Sequence, residues 1–251
     1  MHCQQQDYCR MIELLWNAPV SEVRMSAMLE TLELREGQQV LDVGCGCGEI
    51  LIRLTERYQT LGTGIDVSAE HIAEARRRMQ DRVPASAVQF THADIRSVPL
   101  EHNTFDLVLC LGATHAFATG RDAFRNALQQ MIPLVPSGGS LLIADGYLKQ
   151  PASPEYRALL GESLPDDMTH AANVSTGQQL GLTPLSAWTS STAEWDDFEW
   201  TYQRIVERKA REQPDDQEQQ TRLHRRREWI QAYLKWGRDT LGYGIYLFQK
   251  P

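Results

Sequence analysis

Three glycines at alternating positions stand where a buried strand meets a helix. The stretch VLDVGCGCGEI, residues 40–50, begins with apolar residues and then places Gly44, Gly46 and Gly48 in the turn. Glycines after a strand allow a tight turn and let the backbone approach a ligand closely. Asp66 ends the next apolar stretch, about twenty residues further on, where a carboxylate can accept both ribose hydroxyls of a nucleotide. The pattern predicts a nucleotide-type cofactor at this turn.

The charge around the turn favours one such cofactor over another. In the dinucleotide fingerprint G-x-G-x-x-G, the pyrophosphate rests on the helix N-terminus. Here the third glycine comes one residue early, and Glu49 occupies the fingerprint position, where a carboxylate would repel a pyrophosphate. S-adenosylmethionine (SAM) has an ammonium, a sulfonium and no phosphate, so acidic neighbours favour it. The acidic residues near the strand ends and the helix start are Asp42, Glu49, Asp66 and Asp94. We therefore expect SAM rather than NAD.

Alternating strand and helix patterns must position these residues. The predicted strands are QVLDV, TLGTGID, AVQFTHAD, TFDLVLCLG and SLLIADGY, with helices between them. Such alternation implies a parallel sheet with helices on both faces. Two helices are predicted before it, over 5–16 and 21–34, and another over 120–134. Beyond Tyr147 we expect helical stretches over 150–180 and 195–237, the latter interrupted near 213–216, a sixth strand over 182–192 and a final strand in GYGIYLFQK.

These motifs resemble those of class I SAM-dependent methyltransferases. VLDVGCGCGEI is similar to their first motif, GTGIDVSAEHIAEAR to the second, and THADI with FDLVLCLGATHAF to the adenine-side strand and the fourth strand. The rest of the chain, with WDDFEW and WGRDTLGYGIYLF, resembles a largely uncharacterised bacterial small-molecule branch of that family. The resemblance implies a doubly wound, Rossmann-like α/β fold whose seven-stranded sheet is mostly parallel with its last strand antiparallel.

The resemblance also implies the division of the chain. The whole of 1–251 forms one methyltransferase domain with a SAM-binding core over 37–147. Residues 1–36 form an N-terminal helical cap, and 148–181 and 194–240 are helical insertions that make a substrate lid. The final strand covers 243–249.

Individual cofactor contacts follow from the same resemblance. The methionine moiety is lined by Gly44, Cys45 and Gly46, and Asp42 helps to hold its ammonium. Asp66 binds the ribose and Val67 lies against the adenine. At the adenine edge the resemblance implies Asp94 and Ile95. Beside the sulfonium it implies Cys110, Leu111 and Gly112.

Two side chains beyond the strand ends are candidates for catalysis. Methyl transfer is an in-line displacement, so alignment dominates and a base is needed only for a protonated acceptor. His115 follows the fourth strand and Tyr147 the fifth, where ligands of parallel sheets bind. Each is a candidate base, or else positions the substrate or packs. Asn17 is expected to close over the cofactor. Cys45 and Cys47 are interpreted as small residues filling the turn, with no metal expected.

Composition bounds the function class. The chain has 251 residues, 42% hydrophobic and 23% charged, with a formal net charge of −8. Nucleic-acid binders usually present a basic face, so we expect a small-molecule methyl acceptor and no nucleic-acid partner. No signal peptide or membrane-spanning run is visible, which favours a cytoplasmic protein. The acceptor, its reacting atom (O, N, S or C) and the oligomeric state stay open. Alternative functions are a protein that binds SAM or its product S-adenosylhomocysteine (SAH) without turnover, and an NAD-dependent dehydrogenase.

Overall fold

A computed structural model describes residues 12–118, 120, 122–160 and 167–251, and it contains a seven-stranded sheet in the order β3-β2-β1-β4-β5-β7-β6. The strands are β1 (Gln39–Val43), β2 (Leu61–Asp66), β3 (Val88–His92), β4 (Leu107–Leu111), β5 (Ser140–Leu148), β6 (Thr183–Thr189) and β7 (Leu241–Gln249). Strand β7 is antiparallel to both its neighbours, β5 and β6, whereas the pairs among β1 to β5 are parallel. The predicted mostly parallel sheet with an antiparallel last strand is confirmed.

Helices cover both faces of the sheet. They are α1 (Glu22–Glu30), α2 (Glu49–Tyr58), α3 (Ala69–Met79), α4 (Ala123–Met131), α5 (Pro154–Leu160), α6 (His170–Gln179), α7 (Thr192–Glu212) and α8 (Gln217–Ala232). One core cluster joins the sheet to α4 and includes Leu41 and Leu128. A second, on the opposite face, joins it to α1, α2 and α3 and includes Val40 and Leu51. Side chains on both faces are buried because parallel sheets need cover on both sides.

The helices begin where capping residues stand. Ser21 accepts a hydrogen bond from the backbone of Arg24, and Ser68 does so from His71, as their sequence positions predict. Asp216 caps α8 two residues after Pro214, so the interruption expected near 213–216 separates α7 from α8. The stretch 150–180 contains α5 and α6 as separate helices.

The N-terminal predictions are only partly met. The helix expected over 21–34 ends at Glu30, where Thr31 bonds back to the Met28 carbonyl. The helix expected over 5–16 falls largely on residues outside the described ranges, and its described end, 12–16, forms turns and bends instead. Arg78 of α3 donates to the carbonyls of Ile12 and Leu14, so a side chain from another element holds this stretch.

The register of the strands decides which ends meet. The carboxyl ends of β1, β2 and β4 lie at one edge of the sheet, while β5 and β7 continue past it as a paired ribbon. In that ribbon Asp145 faces Gly244 and Gly146 faces Tyr243. Residues almost a hundred positions apart therefore reach the same edge. Among helices in the described ranges, none combines the length and apolar character needed to cross a bilayer.

Candidate active site

A cavity of about 270 Å³ opens at the carboxyl edge of the sheet. It lies over the glycine turn and is enclosed by residues from both ends of the chain. Its walls come from the turns after β1, β2 and β4, from the β5–β7 ribbon, from residues 14–19 and from α7 and α8; the polar and aromatic members are Trp16, Asn17, Asp42, Glu49, Asp66, Ser68, His71, His115, Asp145, Trp195, Phe198, Glu199, Trp229 and Tyr243.

The glycine turn forms the floor of this cavity. The backbone N–H groups of Gly44 and Cys45 donate to the Ile65 carbonyl at 2.8 and 3.1 Å, which ties the end of β1 to the end of β2. Gly44 has φ +71°, and a Cβ there would lie 2.3 Å from the Ala113 Cβ. Gly46 has φ +52°, and a Cβ added there would have no atom within 4 Å. A ligand can therefore approach the backbone at Gly46, where any other residue would be strained and would occupy the space.

Asp66 is held as an anion at the end of β2. Its carboxylate accepts from the backbone N–H of Gly46 at 2.9 Å and of Ser68 at 2.8 Å, and His71 Nδ1 lies 3.7 Å away. Burial alone would raise the pKa of this carboxyl, but hydrogen bonds from His71, Ser68 and Gly46 outweigh it and lower the pKa. Asp66 is thus an oriented acceptor on the cavity wall.

Asp42, by contrast, has no such support. It is 3% exposed on β1, lines the cavity, and receives no side-chain hydrogen bond from any residue that the structure describes. Burial raises its pKa to about 7, and the negative charge of Asp66 adds to the effect. A buried carboxylate without a donor indicates a ligand that supplies one.

A third carboxylate, Asp145, enters the cavity from β5. It accepts from Thr114 Oγ1 at 2.5 Å and from the Gly146 N–H at 2.7 Å. Burial raises its pKa to about 6 despite these two bonds. Both donors are neutral, so the charge of Asp145 is not balanced by either.

The hydroxyl of Tyr243 has no hydrogen-bond partner in the described part of the chain. The side chain is 6% exposed and lines the cavity. Its oxygen would lie 3.1 Å from a Cβ at Gly112, which fixes it next to the end of β4. Burial raises the pKa of Tyr243 well above its usual value, and the charge of Asp145 contributes, so the hydroxyl stays protonated as a donor.

The cavity is electronegative. Among the described residues that line it there is no lysine or arginine. Two of its carboxylates are neutralised from outside: Glu49 pairs with Arg53 and Arg82, and Glu199 pairs with Arg226 at 2.6 Å. The sequence-based argument that the charge of Glu49 repels a pyrophosphate is weakened accordingly, because two arginines balance it. The uncompensated negative charge of the cavity therefore comes from Asp42, Asp66 and Asp145.

A segment over residues 12–20, named here the cover segment, closes one side of the cavity. Arg78 donates to the carbonyls of Ile12, Leu14 and Leu15, and Trp16 Nε1 donates to Val20 O at 2.8 Å. At its end, Ser21 donates through its N–H and Oγ to Glu194 of α7. The hydrogen bonds from Arg78 and those to Glu194 hold the cover segment over the glycine turn.

Comparison with known proteins agrees with this arrangement. A family model described as a methyltransferase domain matches residues 40–139, from β1 to the start of β5. The chain is 26% identical over 230 residues to the uncharacterized protein YjhP of Escherichia coli K12, covering 91% of each chain. The crystal structure of YjhP superposes with a TM-score of 0.82 at 25% identity, covering 93% of this chain and 94% of that one.

Two further matches carry explicit methyltransferase names. A SAM-dependent methyltransferase from Geobacter sulfurreducens, solved in complex with SAH, shares the fold with a TM-score of 0.82 at 23% identity over 93% and 92% of the two chains. The 27-O-demethylrifamycin SV methyltransferase of Amycolatopsis mediterranei is 32% identical over 47% of this chain and 42% of its own length. The matched domain contains the glycine turn, Asp66 and the strand ends that form the cavity. The chain contains a methyltransferase domain over residues 40–139.

In this chain, most of the predicted cofactor residues converge on the cavity. Those that line it are Asp42, Gly44, Cys45, Gly46, Asp66, Val67, Ile95, Leu111 and Gly112. The candidate His115 lines it too, on a short 3₁₀ helix over Thr114–Ala116, and so does Asn17. Residues chosen from positions along 100 residues of sequence thus come together at one edge.

Three predicted residues lie elsewhere. Cys110 is completely buried in the core beneath the strand end, because its side chain points between the sheet and α4. Asp94 turns to solvent, where it pairs with Arg96 and accepts from its backbone N–H. Tyr147 extends past the cavity in the β5–β7 ribbon, where its ring fills the space over Gly242 and contacts His170. The structure does not bring these three side chains to the cavity wall.

Other cavity residues carry no sequence signal of their own. Asp145 and Tyr243 become neighbours of the site only through the antiparallel pairing of β5 with β7. The aromatic residues of the extra segments divide: Trp195, Trp229 and Tyr243 line the cavity, whereas Tyr233 is core. Nor do the described residues bring three or more His, Cys, Asp or Glu side chains together as metal ligands; Cys45 and Cys47 are free thiols in the turn.

Proposed function

We propose that this methyltransferase transfers a methyl group from SAM to a small-molecule acceptor by in-line displacement. The observation that carries the proposal is an enclosed, electronegative cavity built on the glycine turn, in which the buried Asp42 receives no donor from a described residue. A cofactor with an ammonium and a sulfonium satisfies that charge. A pyrophosphate would meet no lysine or arginine among the described residues of the cavity lining.

The residues present fit SAM along its length. Asp42 and the open backbone face at Gly46 suit the methionine moiety, and the fixed carboxylate of Asp66 suits the ribose hydroxyls. Val67 and Ile95 offer apolar surface for the adenine. When bound, SAM supplies an electrophilic methyl group on a good leaving group. What the protein must add is alignment and exclusion of water, which is worth up to about 7–11 kcal/mol.

The remaining end of the cavity is where an acceptor would bind. Its walls are aromatic, from Trp195, Phe198, Trp229 and Tyr243, with His115 at the edge. The cover segment, α7 and α8 enclose this end, which favours a small molecule over a macromolecular chain. The net charge of −8 argues in the same direction, as does the named methyl acceptor of the Amycolatopsis relative.

Calorimetry with SAM, SAH, NAD and NADP tests the cofactor assignment. We expect SAM and SAH to bind and the dinucleotides not to bind. Binding of NAD but not of SAM would favour the alternative function, an NAD-dependent dehydrogenase. A screen of small acceptors for SAM-dependent release of SAH then tests turnover. SAM binding with no SAH release from any acceptor would identify a binding protein instead.

His115 provides a test of the reaction centre. Because it follows β4 and lines the acceptor side, His115→Ala should lower turnover by tenfold or more while changing SAM affinity less than about threefold. His102→Ala, an exposed histidine in the loop before β4, is the matched control and should change neither. Equal turnover in both variants would remove His115 from the reaction centre.

A further inference from the structure

Asp145 lies at least two strands away from the carboxylates assigned to the cofactor. In the sheet order, Asp66 is on β2 and Asp42 on β1, whereas β5 is two strands further along, past β4. Adjacent strands are separated by about 4.8 Å, so Asp145 is roughly 10 Å from β1 across the sheet. The carboxylates of β1 and β2 serve the methyl donor. The charge of Asp145 is therefore available to the methyl acceptor, the molecule that faces the methyl donor.

The surroundings of Asp145 indicate what that molecule is. Its protein donors are the neutral Thr114 hydroxyl and Gly146 N–H, and no lysine or arginine lines the described cavity wall. An anionic acceptor would therefore meet a carboxylate with no compensating cation. A cationic acceptor would meet a carboxylate that lacks a counter-charge.

Two further polar atoms at the same end lack partners. The Tyr243 hydroxyl and Trp195 Nε1 are buried, line the cavity and have no hydrogen-bond partner within the described ranges. Buried polar groups are ordinarily satisfied, so an unsatisfied hydroxyl in a cavity lining that also contains Asp145 marks a place for a polar ligand. The rings of Trp195, Phe198 and Trp229 around it add faces that attract cations.

Building on the proposed function, we propose that the methyl acceptor is a small amine that binds as its ammonium form, held by Asp145 and the Tyr243 hydroxyl, and that Asp145 removes its proton. The ammonium donates to the free lone pairs of Asp145 and to the oxygen of the Tyr243 hydroxyl, which accepts. Tyr243 and the rings of α7 and α8 enclose the carbon frame. His115, at the edge of the same end, then positions the acceptor.

The step balances with these groups alone. One N–H bond of the ammonium breaks and its proton passes to Asp145, which leaves a lone pair on nitrogen. That lone pair forms the N–C bond to the methyl group while the C–S bond of the donor breaks, with its electrons remaining on sulfur. The products are the methylated ammonium, the neutral thioether SAH and protonated Asp145, which releases its proton to solvent.

The test compares amines with alcohols and carboxylic acids built on the same alkyl and aryl frames, for example phenethylamine, 2-phenylethanol and phenylacetate. SAH release should be confined to the amines. Amines should also bind the protein–SAH complex in calorimetry, where no reaction is possible, and the carboxylates should not.

Variants assign the effect to the named residues. Asp145→Asn should lower kcat for amines about 100- to 10,000-fold, the usual contribution of a general base, and weaken amine binding to the SAH complex about 10- to 100-fold. SAH affinity should change less than about threefold, which also shows that the variant folds. Tyr243→Phe should weaken amine binding by about tenfold, and Asp81→Asn, an exposed aspartate before β3, should change nothing.

Specific results would overturn the inference. Methylation of alcohols or carboxylates but of no amine, absence of any amine acceptor in an enzyme that binds SAM, or full amine turnover by Asp145→Asn would each do so. A protein that fails to bind SAM would instead contradict the proposed function itself, so the two failures are distinguishable.

Discussion

Three aspartates on one cavity wall have three different environments. Asp66 receives backbone N–H groups and stays ionised, whereas Asp42 receives no donor from a described residue and has its pKa raised to about 7. Asp145 receives two neutral donors, and its pKa is raised to about 6. Burial acts to raise the pKa at all three positions, and the hydrogen bonds that each carboxylate receives determine how far that rise is offset. The same residue type can therefore act as fixed acceptor, ammonium ligand or base.

Removing the fixed acceptor should weaken cofactor binding. Asp66→Asn replaces one of two carboxylate oxygens by an amide donor, so one ribose hydroxyl loses its charged acceptor. We expect SAM affinity to fall by about 1.5–3 kcal/mol in calorimetry. Asp81→Asn gives the matched control because Asp81 is exposed and distant from the cavity wall. An unchanged affinity in Asp66→Asn would contradict the ribose role.

Asp42 should make SAM binding depend on pH below neutrality. Burial, and then the charge of Asp66, raise its pKa to about 7, so between pH 7.5 and 6 the carboxylate becomes mostly protonated and loses its attraction for the ammonium. The Kd for SAM should rise several-fold over that interval, since about a tenth remains ionised one unit below the pKa. Asp42→Asn should bind more weakly at pH 7.5 and show a flat profile. A slope that survives the substitution would assign the titration to another group.

Sequence reasoning found the donor half of the site and missed part of the acceptor half. Gly44, Gly46 and Asp66 follow parallel strands in order, so their spacing alone places them together. Asp145 and Tyr243 meet through antiparallel pairing of distant segments, which no local spacing encodes. The compensation of Glu49 by Arg82 is equally non-local, because 33 residues separate them.

At the scale of elements, α7 and α8 form a helical hairpin whose contact contains a buried ion pair. Arg226 is 3% exposed and Glu199 not at all; the guanidinium donates to the carboxylate at 2.6 Å and to the Glu199 carbonyl at 2.5 Å, and Trp229 Nε1 donates to the same carboxylate. An exposed pair, Arg227 with Glu207, bridges the same two helices. A buried ion pair and an exposed ion pair can therefore be compared between the same two helices.

Breaking the two pairs should have unequal cost. Glu199→Gln leaves the Arg226 guanidinium buried without its counter-charge, which costs about 3–5 kcal/mol of unfolding free energy. Glu207→Gln removes an exposed pair that contributes less than about 1 kcal/mol. Urea unfolding without ligand, compared through midpoint and slope, measures both. Similar losses in the two variants would mean that burial does not determine the strength of these contacts.

Elements were predicted best where burial is symmetric. The strands of the parallel core are apolar on both faces, so β1 to β5 stand out in the sequence, and Ser21 and Ser68 mark helix starts. The prediction was wrong over 12–16, where apolar spacing is typical of a helix but Arg78 binds the carbonyls from outside. Tertiary contacts overrode a local pattern there.

At the scale of the whole molecule, both ends of the chain close the cavity, and Glu194 joins them. This residue of α7 is 9% exposed, completes a capping box with Ser191, and accepts from the N–H and hydroxyl of Ser21 at the end of the cover segment. Arg24 of α1 lies 3.2 Å from the same carboxylate. One side chain thus connects the cover segment, α1 and α7.

The charge of Glu194 should make this connection sensitive to acid. Burial would raise its pKa, but hydrogen bonds from Ser191 and Ser21 lower it from 4.5 to about 2. A lowered pKa stabilises the fold above pH 4.5, and that contribution disappears as pH falls from 4.5 towards 2. Glu194→Gln should therefore cost about 3 kcal/mol at pH 7, and its deficit against the natural protein should shrink steadily below pH 4.5. Glu70→Gln, at an exposed position in α3, should stay within about 0.5 kcal/mol throughout. Because the cover segment also borders the cavity, SAM should bind more weakly to Glu194→Gln at pH 7; a stability loss without weaker binding would show that the junction supports the fold but not the site.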